Sequence, residues 1–341
     1  MNGSMNWLSL DIGGANIKVA DGKGFAASHA FPLWKNPAAL THELRRIISE
    51  SPESDHLVAT MTGELADCFT SKEEGVQTIL TALQEAADGR HTRVYVNDGT
   101  MVTPLVGGRR HSEVAAANWH ALARFSGRFM ELGPALLIDV GSTTTDVIPF
   151  RDGLPIHKGT SDTQRLITGE LVYTGIQRSP LCAVARQVPY RDHMCPLAHE
   201  LFATTLDAYV ILGDLPEDAA NDFTADGRPA TKVNARARLA RSIGADSEQF
   251  NHRDAVAVAQ AVAEAQAELL TSAMERVLQR NDEMPKSIVI CGQGEFLARQ
   301  AIQNFGLSST VISLKQQLGA AISRCATAHA LAAIAQETAG P

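Results

Sequence analysis

Residues 136–150 read Leu-Leu-Ile-Asp-Val-Gly-Ser-Thr-Thr-Thr-Asp-Val-Ile-Pro-Phe, and residues 10–20 read Leu-Asp-Ile-Gly-Gly-Ala-Asn-Ile-Lys-Val-Ala. In each stretch an apolar run ends on an aspartate (Asp11, Asp139), passes through a glycine turn and returns as a second apolar run. Such a pattern predicts a strand, a tight turn and an antiparallel partner strand. Finding it twice in one chain predicts a duplicated fold.

Working outward from 10–20, a third strand is expected over 24–31, followed by a helix over 37–50 whose Leu40, Leu44, Ile47 and Ile48 recur at helical spacing. Next come a strand at 56–60, a helix at 71–87 with Ser71 as cap and Glu74 three residues on, a strand at 93–97 and a helix at 113–125. Outward from 136–150, the Asp152-Gly153 turn leads to a third strand at 154–157, then a long polar insertion at 159–253. A helix at 254–280, a strand at 287–291, a helix at 295–305, a strand at 310–314 and a helix at 318–334 complete the repeat. The reading is an α/β chain of two lobes, 6–130 and 131–341, each a mixed sheet flanked by helices.

The 341 residues are too many for one compact core, and 45% hydrophobic with 20% charged residues marks a globular chain. A formal charge of −8 argues against a nucleic-acid partner, so a phosphorylated ligand must be attracted locally. No apolar run approaches the ~18 residues of a membrane span, and the first residues have no signal-peptide pattern. Five scattered cysteines do not suggest a disulfide framework, and a cytoplasmic location is expected.

The turns carry the chemistry. Exposed amides in a glycine turn form a concave anion site, and an aspartate at the strand end suits a hydrated Mg²⁺ rather than the anion itself. Asp11 and Asp139 are therefore candidate metal ligands. Gly13, Gly14, Asn16, Lys18, Gly141, Ser142, Thr143 and Thr144 are candidate phosphate contacts. A third glycine turn, Gly292 to Gly294, follows the strand at 287–291 and opens a helix whose N-terminus suits a phosphate or nucleoside. Taken alone, each such turn is as readily structural. The Asn97-Asp98-Gly99 stretch likewise reads either as turn geometry or as a carboxylate at a strand end.

Together these turns resemble the phosphate-1, phosphate-2 and adenosine segments of the actin, sugar-kinase and Hsp70 superfamily, which has a ribonuclease H-like fold. That resemblance implies a cleft between the lobes, connecting helices at 107–125 and 318–334, and Asp98 as general base, with Asp146 in reserve. A closer resemblance lies in a series of peptides: LDIGGANIKVA, MTGELADCF, VNDGTMV, AAANWHALARF, LLIDVGSTTTDVIPF, TGELVYTGIQRSP, ELFATTLDAYVILGDLP, DGRPAT and ICGQGEFLA. These are similar to hydantoinase/oxoprolinase-type proteins of tetrahydromethanopterin-linked C1 metabolism. The resemblance implies a transferase of methanofuran biosynthesis. It would condense an aminomethylfuran diphosphate with a glutamyl-tyramine or tyrosine phenol, forming an ether and releasing diphosphate.

Within the insertion, Gly169, Glu170 and Arg178 are expected to line the cleft, and Thr204 and Asp207 to share a helix face. Thr204 is as readily a hydroxyl bonded to its own helix. Cys182, His193, Cys195 and His199 have a spacing that fits no familiar zinc knuckle. Two other readings stand: an ATP-dependent small-molecule kinase or ATPase, and a non-catalytic two-lobed nucleotide-binding protein. The third turn is Gly-Gln-Gly where nucleotide users often carry Gly-Gly, a departure that bears against ATP. The alanine-rich helix at 254–280 can pack either within the chain or in a homodimer.

Overall fold

The computed structural model describes residues 6–246, 248–280 and 283–338. The first half contains β1 (Trp7–Ile12), β2 (Asn16–Ala20), β3 (Ala26–Ala30), α1 (Leu40–Glu50), β4 (His56–Met61), α2 (Lys72–Ala86), β5 (His91–Tyr95), β6 (Met101–Val102), α3 (Pro104–Arg109), α4 (His111–Val114) and α5 (Asn118–Ser126). Its strands form one sheet in the order β3-β2-β1-β4-β5-β6. The second half starts with β7 (Pro134–Val140), β8 (Thr145–Arg151), β9 (Leu154–Pro155), α6 (Asp162–Thr168) and β10 (Leu171–Val172). The insertion continues as α7 (Leu181–Val184), β11 (Gln187–Tyr190), β12 (His193–Pro196), α8 (Thr205–Leu212) and α9 (Lys232–Ser242). Then follow α10 (His252–Leu278), β13 (Ser287–Gly292), α11 (Glu295–Phe305), β14 (Thr310–Ser313), α12 (Leu314–Leu318), α13 (Ala320–Arg324) and α14 (Ala326–Thr338).

The second sheet runs β10-β8-β7-β13-β14, with β9 also on β8. In both sheets an antiparallel hairpin (β1–β2, β7–β8) joins a parallel pair (β1–β4, β7–β13). This repeated topology is the two-lobed, actin-like arrangement of the ribonuclease H-like fold. The carboxyl ends of the parallel strands, where open α/β sheets bind ligands, therefore carry the glycine turns.

Helices α5 and α14 lie between the two sheets. Trp119, Leu122 and Phe125 of α5 pack with Leu137, Ile148 and Phe150 of the second sheet and with Ala326 and Ala330 of α14. On the other side Ala117 and Ala121 of α5, with Leu331 and Ala335 of α14, pack on Trp7, Val58 and Tyr95 of the first sheet. Alanines dominate the contact because the two helices must approach both each other and a sheet. The lobes therefore do not divide cleanly at residue 130.

Four expectations need correction. The helix expected at 113–125 is two helices, because Ala116 takes φ 50° in the left-handed region between α4 and α5. The helix expected at 318–334 is three, interrupted at Gly319 and Cys325. The third strand of the second lobe is split, with β9 and β10 occupying opposite ends of β8 and α6 between them. Finally, the insertion expected to be polar holds an apolar core: Leu181, Val188, Leu206, Val210, Leu239 and Phe250 pack on Val258 and Val262 of α10.

Charge inside that subdomain is paired. Arg238 is 0% exposed; its Nε donates to Asp207 at 2.8 Å and its Nη1 to Asp226 at 2.8 Å. Removing one partner of a buried ion pair leaves an uncompensated charge in low dielectric. Asp207→Asn should cost about 3 kcal/mol and lower Tm by roughly 5 °C, measured by calorimetry.

Candidate active site

The two hairpin turns are built alike. Gly13 donates its amide to the Asn16 carbonyl at 3.0 Å, and Gly141 donates to the Thr144 carbonyl at 2.9 Å. Strand register sets Asp11 opposite Lys18 and Asp139 opposite Asp146. Among the described residues, the amides of Gly14, Ala15, Ser142 and Thr143 donate to no other group. Successive free amides in a tight turn make an anion-binding concavity. The hydroxyls of Ser142 and Thr143, 3.4 Å apart, add donors to the second one.

A short relay joins the turns across the crevice. Leu33 donates its amide to the Gly14 carbonyl at 2.9 Å, and its neighbour Trp34 lies beneath the Arg178 guanidinium, 4.8 Å from ring centroid to carbon. Arg178 in turn donates its amide to the Ser142 carbonyl at 3.1 Å. Residues 11–16 and 139–144 are thus neighbours across the gap between the lobes, close enough for Lys18 and Asp11 to act on Asp139. Further contacts hold the lobes together: Lys72 Nζ to Asp162 at 2.8 Å, Asn97 Nδ2 to the Thr160 carbonyl at 2.9 Å, and Lys35 over the Phe223 ring.

Electrostatics reinforce this placement. Asp11 is 4% exposed, its Oδ1 has no partner, and burial raises its pKa against the pull of Lys18, 3.8 Å away. Burial, then the Asp146 carboxylate, push Asp139 to about 6, while Lys18 of the other lobe pulls it down. A buried and a half-buried carboxylate with little positive charge beside them fit a hard cation with oxygen ligands. Among the described residues no three His, Cys, Asp or Glu side chains converge on one point. An ion here would therefore lean on one or two carboxylates and on phosphate oxygens, as Mg²⁺ commonly does.

The third turn packs directly on the second. Gly292 has φ 84°, and a Cβ there would lie 2.2 Å from the Val140 carbonyl oxygen and 2.6 Å from Asp139 Oδ1. Gly294 donates its amide to the same Val140 carbonyl at 3.0 Å. Gly175 backs the second turn as closely, since a Cβ on it would lie 2.5 Å from the Thr143 nitrogen. Its importance is hidden in the sequence, because it depends on a contact with a turn more than thirty residues earlier.

Several residues expected to meet substrate are otherwise engaged. Asp98 Oδ1 accepts from the Thr100 amide at 2.8 Å and hydroxyl at 2.6 Å, and its Oδ2 from Arg110 at 2.7 Å. Burial pushes its pKa up, but the Arg110 and Thr100 hydrogen bonds outweigh that and hold it at about 2. A carboxylate so held is a weak proton acceptor. Asp146 pairs at 2.7 Å with Arg165, which is 2% exposed and stacks on Trp119 of α5. Glu170 accepts from the Lys158 and Gly159 amides and from Arg280. Gly169 is the left-handed C-cap of α6. Thr204 and Asp207 form the capping box of α8, and Asp207 also holds Arg238. Arg178 is the exception among the insertion residues, exposed at the crevice mouth. The Cys182 thiol points to the Glu200 carbonyl, and His193 and Cys195 lie on β12. No described helix is long and apolar enough to cross a membrane.

Comparison with known proteins shows the family. The hydantoinase/oxoprolinase family matches residues 55–337. The protein named (4-{4-[2-(gamma-L-glutamylamino)ethyl]phenoxymethyl}furan-2-yl)methanamine synthase from Methanocaldococcus jannaschii is 31% identical over 97% of both chains. Its namesake from Methanococcus vannielii is 30% identical over 55% of this chain and 84% of its own. This chain therefore belongs to the hydantoinase/oxoprolinase family. Among solved structures, (R)-2-hydroxyglutaryl-CoA dehydratase component A from Acidaminococcus fermentans aligns over 99% of this chain and 100% of its own, at 14% identity and a TM-score of 0.47, too distant to inform on activity.

Gly292→Ala should displace the end of β7 and the Asp139 carboxylate. The expected result is diphosphate affinity at least about tenfold weaker by titration calorimetry, matching roughly 1–2 kcal/mol of overpacking.

Proposed function

We propose that this chain is a transferase of methanofuran-type cofactor assembly, joining an aminomethylfuran diphosphate to the phenol oxygen of a glutamyl-tyramine or tyrosine acceptor and releasing diphosphate. The name of the Methanocaldococcus relative describes a phenoxymethylfuran amine, the ether such a condensation makes. The observation that carries the reading in this chain is the pair of like-built turns, open amides inward, joined by the Leu33–Trp34–Arg178 relay.

The chemistry follows from those parts. A furfuryl carbon spreads developing positive charge into its ring, so the barrier lies in stabilising the departing diphosphate and keeping water away. The amides of Gly14, Ala15, Ser142 and Thr143, with the Ser142 and Thr143 hydroxyls, would donate to the phosphate oxygens; fixed donors aimed at developing charge lose little to reorganisation. Lys18 would add positive charge beside the first turn. Asp11 and Asp139 would hold Mg²⁺, which when bound neutralises part of the leaving group's charge. Trp34 stacked on Arg178 would close the mouth of the crevice, and Asp146, tied to Arg165 and through it to Trp119, would steady the second hairpin against the shared helices.

An ATP-dependent reaction would be revealed by its products. Incubation with an aminomethylfuran diphosphate and a tyramine acceptor should yield the ether and diphosphate. ADP from ATP, with no ether formed, would overturn the proposal. Asp139→Asn should lower ether formation at least about 100-fold, a loss in the range seen when one electrostatic stabiliser is removed. Trp34→Ala should instead open the mouth and divert donor to water, so that free furfuryl alcohol rises relative to ether by liquid chromatography.

A further inference from the structure

One buried carboxyl near the crevice has no task in the scheme above. Glu64 stands three residues beyond β4, is 1% exposed, and its Oε2 has no hydrogen-bond partner. Its position is tightly built. A Cβ on the preceding Gly63 would lie 3.2 Å from the Ile12 carbonyl oxygen and 3.3 Å from the Gly13 carbonyl carbon, so the chain entering Glu64 rests on the first turn. A Cβ on Gly75 of α2 would come 2.4 Å from the Glu64 carbonyl oxygen, so that helix is pressed onto the Glu64 backbone. On a third side the chain bends through the left-handed Ala116, whose amide, like that of Glu64 itself, acts on the carboxylate. The charged groups facing it are Lys72 on α2 and Asp162 on α6, which pair across the lobes at 2.8 Å.

Glu64 thus lies between the first turn, through Gly63, and a salt bridge that closes the lobes. Two amides serve this carboxylate, yet its Oε2 is buried without a partner, which is costly and leaves one oxygen free to meet a ligand. We infer that Glu64 is the catalytic residue that takes the proton from the acceptor's phenol. This inference rests on the proposed ether synthesis. The Glu64 carboxylate accepts the phenolic hydrogen; the oxygen so freed bonds to the furfuryl carbon; the carbon–oxygen bond to diphosphate breaks and its electron pair leaves with the diphosphate. The proton on Glu64 returns to water when the Lys72–Asp162 bridge opens and products depart.

The chemistry of the side chain suits the task. Burial pushes Glu64 to about 7, against the opposing pull of nearby amides and Lys72. A proton acceptor works best when its pKa lies near the operating pH, and a free phenol titrates near ~10. Because the base form is needed, kcat/KM should climb with pH through about 7 and level off above it.

The test compares wild type, Glu64→Gln and Glu64→Asp with two acceptors, the natural phenol and a ring-fluorinated phenol that is largely ionised at neutral pH. Glu64→Gln should fold normally, keep the donor KM within about threefold, and lose about 100-fold or more in kcat with the natural phenol. With the fluorinated acceptor the deficit should shrink below about tenfold, since little proton transfer remains, and the rise in rate near pH 7 should vanish. Glu64→Asp should recover part of the loss. A Glu64→Gln enzyme within about threefold of wild type, or one whose deficit is the same for both phenols, overturns the assignment while leaving ether synthesis intact. A wild type that makes no ether overturns both.

Discussion

The position of every functional group in this molecule depends on two helices shared between two sheets. Helices α5 and α14 press alanines and a few large side chains against both lobes, and the hairpin turns are held opposite each other because that packing is dense on both sides. Close-packed cores transmit displacement rather than absorb it. A small rotation of α5 therefore reaches Arg165, which stacks on Trp119, and from there Asp146 and the second hairpin. The turns and the shared helices that carry them are packed as one unit.

For the proposed reaction the crevice would have to attract an anion into a chain of formal charge −8, beside the buried Asp11 and the half-buried Asp139. Open amides and Lys18 supply part of the attraction. The carboxylates oppose it, so in the proposed reaction a diphosphate would enter with a bound cation more readily than a free anion would. Burial raises the pKa values of Asp11, Asp139 and Glu64, and outweighs the pull of Lys18 on Asp11. Asp98, with both oxygens engaged, has a lowered one. On the proposal made for Glu64, proton transfer falls to a buried carboxyl with one unpartnered oxygen rather than to Asp98.

Much of the architecture was legible because duplication leaves a pattern that survives in local sequence. The helix at 295–305 ends where it was expected, and Ser71 does cap α2 through the Glu74 amide. What local reading missed has specific causes. The Ala115-Ala-Ala117 run has strong helix propensity, yet Ala116 is forced left-handed where the chain turns from α4 into α5, a tertiary override of a weak preference. The insertion looked polar because Arg238, Asp207 and Asp226 count as surface residues in a linear scan, whereas in the fold they neutralise one another out of solvent. Gly175 and Glu64 were passed over for a related reason. Each sits in a peptide that carries the family resemblance, but which residue in it matters is decided by what another part of the chain presses against it.

The amino-acid order by itself determined the hairpins, the repeated α/β grammar and the two aspartate turns, since strand periodicity and glycine chemistry act over a few residues. Only the tertiary structure decided which carboxylates are free to react. That choice depends on burial and on partners distant in sequence, Arg110 for Asp98, Arg165 for Asp146 and Arg238 for Asp207, and desolvation is a property of the packed whole.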